Sequence, residues 1–111
     1  MNTKISYMYR DASNYKAYES EVIKGVIKES GLKDECFDEF IPNECGLPSL
    51  QGQLTAYNGG TWTEDDHVYH SDLQLEPTEK EPTVEITAED FIKKFNNMPN
   101  DVMAEMERLG M

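Results

Sequence analysis

Pro42, Gly46, Pro48, Gly52, Gly59 and Gly60 all fall within DECFDEFIPNECGLPSLQGQLTAYNGG, residues 34 to 60, and they forbid a continuous helix through the middle of the chain. Each proline also pushes the residue before it, Ile41 and Leu47, out of helical dihedrals. Yet Phe37, Phe40, Ile41, Leu47, Leu50 and Leu54 make this stretch too apolar for a free linker. It is expected to pack as an irregular cover over regular structure supplied by the two ends of the chain. With 111 residues there is room for one core, because two would each be marginal, so a single domain over 1–111 is expected.

The first end reads as extended structure. KISYMYR, Lys4 to Arg10, alternates Ile5, Tyr7 and Tyr9 against Ser6, Met8 and Arg10, the period of a strand, and the DASN that follows is a turn signal. Tyr15 to Lys24 fits either the second strand of a hairpin or a helix aligning Tyr15, Tyr18, Val22 and Val26. The β-branched Val22, Ile23, Val26 and Ile27, with Gly25 among them, favour the hairpin, followed by a short helix from Gly25 to Ser30. Asn58–Gly59 suits a tight hairpin loop. A further strand is expected over 67–75, with Val68, His70 and Asp72 on one face and His67, Tyr69, Ser71, Leu73 and Leu75 on the other.

The other end reads as helical. An exposed acidic Pro/Thr connection, weakly held, is expected at about 76–86. The helical C-terminal element spans 87–109: Thr87 caps a first helix with Asp90 three residues on, and Phe91, Ile92 and Phe95 form its apolar face. A second helix starts at Asn100 or Asp101, puts Val102, Met103, Met106 and Leu109 on one side, and stops at Gly110. The expected fold is therefore α+β, a small antiparallel sheet of three or four strands, including an N-terminal hairpin, packed with a C-terminal pair of short helices.

Charge narrows the partners. Ten Lys and Arg face 22 Asp and Glu, a formal net charge of -12. The imbalance is uneven: residues 1 to 60 hold 6 basic and 9 acidic side chains, residues 61 to 111 hold 4 and 13. Such a chain repels nucleic-acid backbones and anionic membrane surfaces, so neither direct nucleic-acid binding nor membrane binding is expected. Cys36 and Cys45 are too few for a disulfide framework and form no Cys-x-x-Cys, which points to free thiols and a cytoplasmic location. No cofactor is expected. In texture, YMYRDASNYK, FIPNECGLPSL and DDHVYH resemble small bacterial or mobile-element proteins, with no active-site residues attached to that resemblance.

The chemistry-bearing stretch is WTEDDHVYH, Trp62 to His70. It fails the zinc-hydrolase pattern, because its histidines are three apart and Val68, not Glu, follows His67. On a strand His67 and His70 point to opposite faces, so no single metal ion sees both. No serine sits in a nucleophile elbow and no glycine run makes a phosphate loop, which leaves catalytic and metal-ligating residues unassigned. Recognition fits better: Trp62 and Tyr69 among Glu64, Asp65, Asp66 and Asp72 have the composition of an interface hot spot, and these six are the candidate protein-binding residues. The leading expectation is a non-enzymatic domain that binds a basic or nucleic-acid-binding protein, with Glu64, Asp65, Asp66, Asp72, Glu76, Glu79, Glu81 and Glu85 clustered on one surface. The alternatives are a small metal-dependent or His/Asp hydrolase using residues 65–72, and a homodimer built on an unpaired sheet edge.

Overall fold

A computed structural model describes residues 1–11, 15–33, 36–51 and 66–110. The expected turn at Asn58–Gly59, and Leu54, Trp62, Glu64 and Asp65, lie outside the described residues.

Three strands form one antiparallel sheet in the order β2-β1-β3. β1 (Asn2–Arg10) turns its alternate residues Thr3, Ile5, Tyr7 and Tyr9 into the core. β2 (Lys16–Ile23) pairs with it from Thr3↔Ile23 to Arg10↔Lys16, the expected hairpin. Asp11 closes that hairpin, its N–H donating to the Tyr15 carbonyl and its carboxylate accepting from the Tyr15 N–H at 2.9 Å.

The short helix expected from Gly25 does not form; a single 3-10 turn at Glu29–Gly31 is all that this segment contributes. Thr3 supplies the reason. Its hydroxyl donates to the Gly25 carbonyl at 2.8 Å and accepts from the Ile27 N–H at 3.0 Å, so backbone groups that a helix needs are drawn onto the end of β1. Gly25 adopts φ 106, and a Cβ there would lie 2.9 Å from that of Ala88, so only glycine fits.

β3 (Ser71–Thr78) lies on the other side of β1 and corrects the strand expected over 67–75. Residues 66–69 are irregular and His70 makes only an isolated bridge to Phe40. Pairing runs from Asn2↔Thr78 to Ser6↔Gln74 and resumes at Met8↔Ser71, so three steps along β3 answer two along β1. The extra residue is a bulge at Asp72, whose φ is 58. It breaks the expected alternation, leaving His70 and Leu73 buried and Asp72 exposed.

β3 also takes in Glu76, Pro77 and Thr78, so the connection starts later than about 76. It is exposed but tethered. The Lys80 carbonyl accepts from the Asn2 side-chain amide at 2.8 Å, and the Thr83 N–H donates to the Val22 carbonyl at 2.9 Å. The segment thus passes the end of β1 and reaches the outer edge of β2.

α1 (Ala88–Asn96) opens as expected, with the Thr87 hydroxyl accepting from the Asp90 N–H. Phe91 and Phe95, four apart and both at 0 % exposure, drive its face into the core against Phe37 and Phe40, whose rings lie 6.0 and 6.1 Å from that of Phe95. Phe40, Ile41, Leu47 and Leu50 are buried between helix and sheet, which makes the Pro/Gly segment the expected cover. α2 (Val102–Leu109) begins at Asp101, whose carboxylate accepts from the Ala104 N–H, and ends at Gly110 with φ 75. The architecture is α+β, a three-stranded antiparallel sheet with two C-terminal helices.

Candidate functional site

The described part of the Trp62–His70 stretch is fastened to the end of the sheet by Tyr9. Its phenol donates to Asp66 Oδ1 at 2.8 Å and accepts from the His67 N–H at 3.2 Å. The rings of His67 and His70 lie 5.1 and 5.3 Å from that of Tyr9. Burial, followed by the Asp66 carboxylate beside it, pushes the Tyr9 phenol up, so it stays a neutral donor.

Backbone groups occupy both imidazoles. His67 Nδ1 accepts from the Tyr69 N–H at 3.1 Å, which makes Nε2 the protonated nitrogen, donating to the Arg10 carbonyl at 2.6 Å. His70 takes the opposite tautomer: Nε2 accepts from the Leu50 N–H at 2.9 Å and Nδ1 donates to the Val68 carbonyl at 3.3 Å. With 1 % of its surface exposed, His70 has its pKa lowered to about 3 by burial.

The Cys45 thiol is equally quiet. Cys36 and Cys45 form no disulfide, and burial pushes the Cys45 thiol up to about 12, far from a reactive thiolate. Among the described residues no group of three His, Cys, Asp or Glu side chains is placed to hold a metal ion. No helix among them is long and apolar enough to cross a membrane.

What the stretch does frame is surface. Arg10, Asp38, Glu39, His67, Tyr69 and Ser71 line a shallow hollow of about 380 Å³. A second, of about 500 Å³, adjoins it through Arg10, Asp38 and Ser71 and reaches Asp72 and Tyr18. Of the candidate binding residues, Tyr69 and Asp72 thus border neighbouring hollows, and Asp66 is tied to Tyr9. Arg10 and Asp38, on β1 and in the cover segment, were not singled out in the sequence because only the folded chain joins them to residue 69.

The carboxylates expected on one surface are partly brought together. Glu76 on β3, then Glu79, Glu81 and Glu85 on the tethered connection, are all exposed and pass the end of the sheet from β3 to β2. There Thr83 donates to the Glu21 carboxylate of β2, next to exposed Glu19. Lys80 is the one basic side chain in 76–86. Asp72 lies toward the other end of β3 and lines a hollow together with Glu19. Glu19 and Glu21 were absent from the expected cluster because more than 40 residues separate them from it in sequence.

Comparison with protein-family models, characterised proteins and solved structures finds no match to the chain.

A buried polar cluster also went unforeseen. Glu105 of α2 is fully buried, with Oε2 accepting from the Asn43 amide at 2.8 Å and the Ser49 hydroxyl at 3.2 Å, and Oε1 from Arg108 Nε at 2.7 Å. Glu44 adds to it by accepting from the N–H groups of Asn100 and Asp101 at 3.0 and 2.9 Å. These satisfied bonds dock α2 on the 3-10 turn at Pro42–Cys45.

Proposed function

We propose that the protein is a small acidic binding domain without a catalytic role, which docks on a basic surface of another protein and modulates it. In the sharper form of this reading, its carboxylates stand where nucleic-acid phosphates would sit. The observation that carries the reading is the acidic belt of Glu76, Glu79, Glu81 and Glu85, continued by Glu19 and Glu21 on β2. Like charges held in one region sum their fields, steer a basic partner to that side, and act on association rate and selectivity more than on final affinity. The bonds from Asn2 and Val22 fix the belt's backbone, which reduces the ordering entropy of docking.

Two further observations support binding over chemistry. Each nitrogen of His67 and His70 already has a backbone partner, so an acid–base role must first break a structural bond. The hollows beside Tyr69 and Asp72 are open and carry both Arg10 and Asp38, the mixed polar rim of a contact surface. Among the described residues Asp66, Tyr69 and Asp72 belong to the proposed second contact region, and Trp62, Glu64 and Asp65 are proposed as binding residues on their sequence alone. A cytoplasmic location fits two thiols that form no disulfide.

The test is capture of partners by the intact protein, with nuclease present, at low and high salt, beside a Glu79→Gln, Glu81→Gln, Glu85→Gln variant. The expected result is a nuclease-resistant, salt-sensitive partner with a basic surface that the variant retains poorly. Equal capture by both proteins contradicts the reading.

A further inference from the structure

The two outer edges of the sheet are not alike. On β3 the outward-facing positions are Leu73, Leu75 and Pro77, because the Leu73 N–H donates away from β1 to the Phe37 carbonyl at 3.1 Å and outward residues recur at every second position. Pro77 has no N–H to offer, the bulge at Asp72 deforms the strand, and the Phe40–His70 bridge covers its start. A proline, a bulge and a covering segment are the devices by which proteins keep an edge from accepting another strand.

On β2 the outward positions are Lys16, Tyr18, Ser20 and Val22. Val22 fixes this assignment: its carbonyl accepts from the Thr83 N–H at 2.9 Å and its N–H donates to the Thr83 hydroxyl at 2.7 Å. Just beyond, the Lys24 carbonyl accepts from the Ala88 N–H at 2.8 Å. One part of this edge is therefore already dressed by the chain's own backbone.

The Lys16–Ser20 part has no strand beside it among the described residues, and neither proline nor bulge guards it. The Ser20 N–H turns to the nearest acceptor, the Glu19 carboxylate, at 3.1 Å. Tyr15 and Tyr18, at 67 % and 61 % exposure, stand at this same place and are the large aromatic side chains left exposed among the described residues.

We propose that the Lys16–Ser20 part of the β2 edge accepts an extended segment of a basic partner protein as a fourth strand, with Tyr15 and Tyr18 packing against that strand's side chains. This rests on the binding function proposed above and names its point of attachment. Main-chain bonds supply affinity in such an addition, and side chains at alternate positions supply selection. A second copy is a poor occupant, because each carries a net charge of -12 and a self-paired edge brings together two sets of Glu19 and Glu21. A basic strand meets those same carboxylates with the opposite sign.

The test uses the intact chain with a short synthetic peptide alternating lysine and valine, beside its fully N-methylated counterpart, which keeps the charge and loses the N–H donors. Amide exchange is followed residue by residue by NMR. The expected result is exchange slowed about tenfold or more at Tyr18 and Ser20 by the first peptide alone, and loss of its binding in Tyr18→Pro, which deletes an outward N–H and spares the β1 ladder. Exchange unchanged at Tyr18 and Ser20 up to millimolar peptide overturns the proposal, as does equal binding of the N-methylated peptide. Protection that grows with protein concentration alone also overturns it, by making the occupant a second copy. If the glutamine variant loses the captured partner while Tyr18→Pro keeps it, the acidic binding function stands and the edge proposal falls.

Discussion

His70 is a neutral cross-link, accepting from Leu50 through Nε2 and donating to Val68 through Nδ1. A second proton on the ring turns Nε2 into a donor facing an N–H, at a ring with 1 % of its surface exposed. Burial therefore holds its pKa near about 3, below the ordinary 6.5. A depressed folded value means that the unfolded chain takes up the proton first. The associated stability is complete above about pH 6.5 and is lost as pH falls toward about 3, at up to about 1.4 kcal/mol per pH unit. His70→Gln, which keeps an acceptor for Leu50, is expected to flatten the acid limb of a melting temperature against pH curve across that window; an unchanged slope contradicts the burial of a neutral ring. In the core, Phe91→Ala or Phe95→Ala is expected to destabilise by about 3–5 kcal/mol in chemical denaturation, since both rings are fully buried. Normal stability in both refutes the packing of α1. The sequence period set the two histidines on opposite faces of one strand, whereas residues 66–69 are irregular, His67 is exposed and His70 is buried. The tautomers were not legible, because they depend on Leu50 and Arg10, which no local pattern links to residues 67 and 70.

At the scale of elements, signals confined to one turn were legible and those made by distant contacts were not. Thr87, Asp101 and Gly110 carry cap chemistry in their own side chains or backbone, and α1 and α2 start and stop where that chemistry places them. The N-terminal hairpin was legible from β-branched residues and Gly25, whereas the absent helix after it depends on the Thr3 hydroxyl. α2 holds the clearest difference. Its stripe was read as Val102, Met103, Met106 and Leu109, yet Met103 is 73 % exposed and Glu105 is buried. Glu105 lies midway between Val102 and Leu109 on that face, so its position was visible in the period and only its charge argued against burial. Asn43, Ser49 and Arg108 resolve that conflict by saturating the carboxylate. Glu105→Ala is expected to loosen α2 by about 2–3 kcal/mol, seen as faster amide exchange over Val102–Leu109 with the sheet amides unchanged. Equal exchange in variant and parent means that apolar contacts, not this cluster, hold the helix.

For the molecule as a whole, charge and topology act together. The acidity of the second half was plain in the composition, but its placement required the crossing from β3 past Asn2 to Val22, which strings Glu76, Glu79, Glu81 and Glu85 past the end of the sheet. If recognition is electrostatic, the histidines are bystanders. His70→Gln, at a ring with 1 % of its surface exposed, is expected to leave partner affinity within about twofold wherever the fold is retained, and a loss above about tenfold contradicts recognition by surface charge. The most direct measurement is the affinity of the captured partner across a series of salt concentrations, by calorimetry, for the parent and the Glu79→Gln, Glu81→Gln, Glu85→Gln variant. The expected result is affinity that falls as salt rises, with the variant binding about tenfold more weakly at low salt and responding less to salt. Affinity that ignores salt and is equal in the two proteins contradicts an acidic docking domain.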